Sequence, residues 1–340
     1  MEPRGPLTRA GSGKLEPAGG GVNETVSSGD LGLVWAMIIA LTGSSGFIGS
    51  AAARVMHAHG HSVTALVRPT SRREHFRSFV ERFVEGDQAD PGIWPELLQN
   101  ADAVVHNSID WAPLQSGDVE THLRRNLLGS LLLLQAAHEA GVKRFVFISS
   151  VATHHDISPR WEGVIDEDHP LRPSGLYGAC KAAVEAHLWS AHYSWGMHTV
   201  ALRPCAVYGV EPVRLERSHG YKQVRKLLDG EKVSKQDFPG GGKFVHVDDV
   251  ALAIVRAVER DEASGRAFNL ADCYAKHTLL GKLAAEQMGL DPAMVELDEG
   301  PPAKNMFSKE ATREILGVEL ERGEAGLRDA MGELIAAVSK

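Results

Sequence analysis

Short apolar runs alternating with amphipathic stretches constrain this chain more than any other feature. The runs Met37–Leu41, Ser62–Val67, Ala103–His106, Arg144–Ile148 and His198–Arg203 are rich in β-branched or bulky apolar residues. Between them, helical patterns cover Phe47–Ala58, Ile93–Gln99, Leu123–Ala140 and Leu176–Trp195. Strands that alternate with helices in this way predict an α/β fold, a doubly wound parallel sheet with helices on both faces. After Arg203 the rhythm breaks into segments punctuated by Pro and Gly, with helices expected at Gln223–Asp229 and Val247–Glu259 and a strand at Ala267–Leu270. The expected division is a sheet domain over 37–206 and 243–272, with a smaller C-terminal substrate lobe over 207–242 and 273–335.

The first 36 residues lack this pattern. Gly, Ser, Pro and charge dominate there, and such a segment buries too little surface to offset its ordering entropy, so 1–36 is read as a disordered leader. Met37, at the head of the first strand, is the expected native start. Composition also narrows the partners. With 36 basic and 44 acidic side chains, a formal charge of −8, no general affinity for nucleic acid is expected. The longest apolar runs, such as Leu33–Leu41 and Leu127–Leu134, fall short of the roughly 20 residues that span a bilayer, so no membrane partner is expected. Cys180, Cys205 and Cys273 lie far apart without a Cys-x-x-Cys pair, and a cytoplasmic setting is the simplest one.

The first strand runs into Thr42-Gly43-Ser44-Ser45-Gly46-Phe47-Ile48-Gly49 and then an Ala-rich helix. Glycines at a strand–helix turn allow tight backbone conformations and let a pyrophosphate approach the free N–H groups of the helix start. The spacing is Gly-x-x-Gly-x-x-Gly rather than Gly-x-Gly-x-x-Gly, and an ordinary turn is the alternative. Its place after the first strand favours a dinucleotide, held by Gly43, Ser45, Gly46, Phe47, Ile48 and Gly49. The second strand ends in Arg68, followed by Pro69-Thr70-Ser71-Arg72-Arg73, with no carboxylate before Glu74. A carboxylate at this point suits a free ribose 2′-hydroxyl and an arginine suits a 2′-phosphate, so NADP is favoured over NAD. A solvated basic helix start competes with that reading. Asp87, after Gly86, is placed to accept from an adenine amino group, although turn chemistry also accounts for it.

Tyr177 and Lys181 stand four residues apart, on one helix face and one turn from each other. A phenol near its usual pKa of about 10 is a poor base at neutral pH, and a neighbouring ammonium favours its ionised form. The pair occurs by chance in many helices. Its context is the strand Arg144–Ile148 ending in Ser149-Ser150, because parallel sheets present their sites at the carboxyl ends of strands. A serine hydroxyl there can polarise a carbonyl or simply close the strand end.

Taken together, these residues resemble the extended short-chain dehydrogenases/reductases. Thr42-Gly-x-x-Gly-x-x-Gly49, Asp87, Asn126, Ser150, Tyr177-x-x-x-Lys181, Arg203-Pro204 with Val207-Tyr208-Gly209, and Phe244–Val250 occur in that family's order over about residues 37 to 320. The resemblance implies a Rossmann fold, a Ser-Tyr-Lys triad of Ser150, Tyr177 and Lys181, and Asn126 holding a helix kink and a proton-relay water. It places Arg203 and Pro204 at the cofactor and implies a homodimer through helices including Leu123–Ala140 and Leu176–Trp195. Leu66-Val-Arg-Pro-Thr-Ser71 and Ser149-Ser-Val-Ala-Thr153 are similar to the dihydroflavonol-reductase-like and sterol-dehydrogenase-like branch. Nucleotide-sugar dehydratases usually carry an acidic pair just after the catalytic hydroxyl, and Val151-Ala152-Thr153 disfavours dehydration here. Asn107-Ser108 departs from the small apolar residues that normally follow the histidine. The expected activity is hydride transfer between NAD(P) and a small-molecule alcohol or ketone. A nucleotide-sugar epimerase is the alternative, and a non-catalytic dinucleotide sensor the third.

Other features are read as structural or left open. His57, His59 and His61 are interrupted by Gly60 and complete no tetrahedral set, so no metal is expected. His154, His155 and Asp156 line either the pocket or a solvated loop. Trp111 and Tyr208 are aromatics on loops near the carboxyl edge, where an aromatic ring can stack on a substrate, with packing the expected role of Tyr208 and Cys180. His246, Asp248 and Asp249 are expected to start and cap a helix.

Overall fold

Along the first strand, Ile39 and Leu41 bury against one layer of helices and Ala40 against the other, because successive Cβ atoms alternate across a strand. The computed structural model describes residues 36–154, 163–303 and 305–340; residues 1–35 of the expected leader 1–36, His155 and Asp156 lie outside them. Seven parallel strands form the central sheet: β1 (Ile38–Thr42), β2 (Ser62–Val67), β3 (Arg82–Glu85), β4 (Ala103–His106), β5 (Arg144–Ile148), β6 (His198–Pro204) and β7 (Arg266–Leu270). Their order is β7-β6-β5-β4-β1-β2-β3. The chain therefore winds outward from β1 in one direction and from β4 in the other, and a crevice opens where the two directions part.

Helices α1 (Phe47–Ala58) and α4 (Val247–Glu259) cover one face, with Met56, Val250, Ile254 and Val258 packed on Leu41, Val146 and Leu202. Helices α2 (Gly129–Glu139) and α3 (Leu176–Trp195) cover the other, where Leu133, Val184 and Leu188 meet Val104, Phe145 and Phe147. A third cluster, including Tyr208, Val224, Phe244, Leu283 and Met331, lies under a three-stranded sheet of Ala206–Tyr208, Gly241–His246 and Cys273–Lys276.

Two expected helices differ in shape. The stretch 93–99 narrows to a helix over Trp94–Leu97 after a single turn at Pro91–Ile93, since Pro95 restricts its start and Asn100 takes a left-handed φ of 58°. The helix expected from Leu123 begins instead with a π-helical turn, Leu123–Leu128, that carries Asn126.

Candidate functional site

The carboxyl ends of β1, β2, β4 and β5 open on a cleft of about 1100 Å³. At its centre, Thr42 pairs in register with His106, and their side chains meet at 2.8 Å between Oγ1 and Nδ1. The Thr42 hydroxyl also accepts from the backbone N–H groups of Asn107 at 3.2 Å and Ser108 at 3.3 Å. His106 Nε2 lies 2.8 Å from Ser130 Oγ, and burial pushes this imidazole down to about 3, so it stays neutral. These contacts tie the first two strand-end loops together before any ligand is considered.

The three glycines of the loop have different reasons to be glycine. Gly43 has φ +65°, and a Cβ on it would lie 2.9 Å from the Asn107 carbonyl. A Cβ on Gly49 would lie 2.2 Å from the Gly43 oxygen, a distance no side chain tolerates. Gly46, at the start of α1, has only the Gly43 oxygen at 3.4 Å, so internal packing does not demand glycine there. Gly46 instead lines the cleft, beside Ser45, Phe47 and Ile48.

Beyond β2, Arg68 and Arg72 line the same cleft and form no ion pair among the described residues. Arg73 is committed elsewhere, to Glu85 at 2.6 Å and to the face of Phe83. Asp87 also lines the cleft, with its oxygens engaged by the Ala89 N–H at 2.9 Å and Arg125 at 2.6 Å; these partners outweigh burial and hold its carboxyl below the usual range.

Ser150, Tyr177 and Lys181 converge at the end of β5. Ser150 is the second residue after the strand, and its Oγ accepts from the Ala152 N–H at 3.1 Å. Tyr177 stands in the first turn of α3 behind Gly175, which lacks any capping side chain. Gly178 lets this turn press on the Ser150 loop, since a Cβ there would lie 2.4 Å from the Ala152 oxygen. Burial pushes the Tyr177 phenol above its ordinary pKa, and a hydrogen bond with Ser150 pulls it back. Lys181 is buried, donates to the Ile148 carbonyl at 2.6 Å and lies 4.4 Å from the Phe147 ring centre and 5.8 Å from that of Tyr177. Its burial pulls the ammonium down to about 8.

Three expected site residues stand outside the cleft wall: Gly49, which supports the glycine turn, Arg203 and Asn126. Arg203, expected at the cofactor, is instead buried in an ion pair: Nη2 meets Glu185 at 2.6 Å, Nε bridges both Glu185 oxygens at 3.1 Å, and Nη1 reaches His154 and the Glu167 carbonyl. Its side-chain donors are already occupied, and of the Arg203-Pro204 pair only Pro204 lines the cleft. Asn126 uses its amide on Asp110, accepting from its N–H at 2.7 Å and donating to its carbonyl at 2.8 Å. It positions the 107–111 loop from behind.

Sequence reasoning missed Glu185, which continues the Tyr177–Lys181 stripe by one more turn and also accepts from Ser149 Oγ. The i, i+4, i+8 spacing was the available signal. Trp111, an open reading before, stacks on the Tyr177 ring at 5.1 Å and 27°. The three histidines of 57–61 form no metal set; His59 and His61 converge on Glu259 at 2.9 and 3.3 Å. His246 caps α4 by accepting from the Asp248 N–H, Asp249 pairs with Arg322, and Tyr208 and Cys180 are buried.

A seven-stranded parallel sheet with a glycine turn after β1 and Ser, Tyr and Lys at the end of β5 defines an extended short-chain dehydrogenase/reductase. The chain belongs to the NAD dependent epimerase/dehydratase family, whose model matches residues 39–271, and is an enzyme of that type. It is 28% identical over 307 residues to a UDP-glucose 4-epimerase of Corynebacterium glutamicum, covering 83% of this chain and 90% of that one. A 2-alkyl-3-oxoalkanoate reductase of Stenotrophomonas maltophilia is 28% identical over 230 residues, 66% of either chain. Among solved structures, the dTDP-glucose 4,6-dehydratase DesIV of Streptomyces venezuelae, with NAD and TYD bound, superposes with a TM-score of 0.72 at 25% identity, covering 87% of this chain and 96% of that one. No helix among the described residues is long and apolar enough to cross a membrane.

Proposed function

We propose that this enzyme reduces a ketone to an alcohol, reversibly, with NADP(H) as hydride carrier. The observation that carries this reading is the convergence of Ser150, Tyr177 and Lys181 on a cleft that begins at Gly46. Gly46 is the fit test for a dinucleotide: internal packing does not require glycine there, and the residue lines the cleft at the α1 N-terminus, where a phosphate would approach. Gly43, Ser45, Gly46, Phe47 and Ile48 would hold the pyrophosphate, with Asp87 toward the adenine. Gly49 supports the turn from behind. Arg68 and Arg72, which form no ion pair among the described residues, favour a 2′-phosphate, hence NADP over NAD.

When bound, the reduced cofactor supplies the hydride to the carbonyl carbon. Ser150 Oγ orients the carbonyl oxygen. Tyr177, protonated because burial raises its pKa, gives its proton to that oxygen as negative charge develops. Lys181 holds a positive charge beside the phenol and stabilises the phenolate left behind. The third cluster, around Tyr208 and Phe244, would form the substrate lobe. The exposed Leu123, Leu128 and Leu132, with Leu176, Trp189 and Tyr193 on α3, favour a homodimer through these helices.

A second reading, epimerisation of a nucleotide sugar, is favoured by the similarity to the UDP-glucose 4-epimerase across most of the chain. Reduced-cofactor consumption separates the two: a reductase uses it stoichiometrically, and an epimerase regenerates it. A non-catalytic sensor is disfavoured by the intact tyrosine and lysine. Paired titrations with NADPH and NADH test the cofactor, and equal or tighter NADH binding contradicts the roles given to Arg68 and Arg72.

A further inference from the structure

Trp111 is 45% exposed and belongs to the cleft wall, although its ring is stacked on Tyr177. The half-exposed indole lies over the half-buried phenol. Both backbone polar groups of Asp110 bond Asn126, one of its carboxylate oxygens accepts from the Ala112 N–H at 3.1 Å, and the other accepts from Arg125 Nε at 2.6 Å. The loop is therefore fixed on both sides of the tryptophan. Arg125, which also lines the cleft, is already paired with Asp87 and Asp110, so its charge is engaged by this loop and the 87–89 turn.

We propose that Trp111 is a specificity-determining residue, whose indole favours substrates that carry a planar ring next to the reacting carbonyl. The inference rests on the carbonyl-reduction reading. A substrate whose oxygen reaches the Tyr177 and Ser150 hydroxyls comes to lie beside the indole, because Trp111 and Tyr177 are in direct contact. A flat ring covers that apolar face, whereas a flexible chain covers less of it and loses more rotamer freedom in doing so. Offset or tilted aromatic pairs gain roughly two- to tenfold in affinity beyond the area they bury.

The test compares kcat/KM with NADPH for aryl ketones and acyclic ketones of equal carbon number, using the full chain with Trp111 intact, Trp111→Ala and Trp111→Phe. Wild type should prefer the aryl ketones. Trp111→Ala should cut the aryl-to-acyclic ratio by roughly fivefold, and Trp111→Phe should restore most of it. A wild-type preference for chains, an alanine variant that keeps the ratio within about twofold, or a phenylalanine variant no better than alanine overturns the inference. An equal loss on both substrate classes also overturns it, since that assigns the indole to Tyr177 alone. If wild type turns over neither class, the reduction reading itself has failed. Calorimetric affinities of the NADP-loaded protein for aryl and acyclic alcohols then decide the role of Trp111, and an unchanged affinity ratio in Trp111→Ala contradicts it.

Discussion

The Lys181 ammonium donates to the carbonyl of Ile148 at 2.6 Å, two residues before Ser150 in the chain. That bond fastens α3 to the end of β5 and so sets the spacing between the Tyr177 and Ser150 hydroxyls. It also leaves the charge buried, at a pKa of about 8. Reduction needs the ammonium to hold the phenolate, so kcat/KM for ketone reduction is expected to fall above about pH 8. A flat profile to pH 10 contradicts this role.

The same burial has a stability consequence of opposite sign. Below pH 8 the ammonium is charged in both the folded and the unfolded chain, and its desolvation opposes folding. Between about 8 and 10.5 only the unfolded chain keeps the proton, so this penalty fades as pH rises. Lys181→Met should therefore raise Tm at neutral pH while abolishing most activity, and the Tm gain should shrink toward pH 10. Thermal unfolding of both proteins across that range checks it, and a lower Tm for the variant at pH 7 is the contrary result.

Gly46 and Gly49 should respond differently to alanine. At Gly46 the new methyl meets only the Gly43 oxygen at 3.4 Å, so the fold survives while NADP(H) affinity drops by an order of magnitude or more. At Gly49 it meets backbone at 2.2 Å, so Tm or soluble yield falls first. Melting curves and cofactor titrations of the two variants separate the outcomes, and intact cofactor binding by Gly46→Ala removes the fit argument.

Leu128, 49% exposed on the π-helical turn, tests the homodimer. Leu128→Glu should shift the sedimentation coefficient from dimer to monomer with little change in the far-ultraviolet spectrum. A wild-type protein that is monomeric at micromolar concentration contradicts the assignment of this face.

The parallel sheet and the glycine turn after β1 were legible because both are local: a strand's apolar run, a glycine turn and a helix are contiguous in sequence. The Tyr177–Lys181 pair was legible for the same reason. Long-range pairing was not. Arg203 is a cofactor candidate by motif, and only the fold reveals Glu185 as its partner. The role of His59 and His61 was likewise unreadable, since Glu259, which both meet and which is itself held down to about 2, lies some 200 residues away. Periodicity alone did not show the π turn around Asn126; the family resemblance implied a kink there, and the Asn126 bonds to the Asp110 backbone are a long-range contact that only the fold shows.

The central claim is that Tyr177 protonates a carbonyl during net hydride transfer. Its most direct test follows NADPH absorbance with a reducible ketone in wild type and Tyr177→Phe, alongside cofactor affinity. The account predicts stoichiometric NADPH loss in wild type, a fall in kcat of about a hundredfold or more in the variant, and similar NADPH affinity in both. Undiminished turnover by Tyr177→Phe, or product formed without net loss of NADPH, contradicts it.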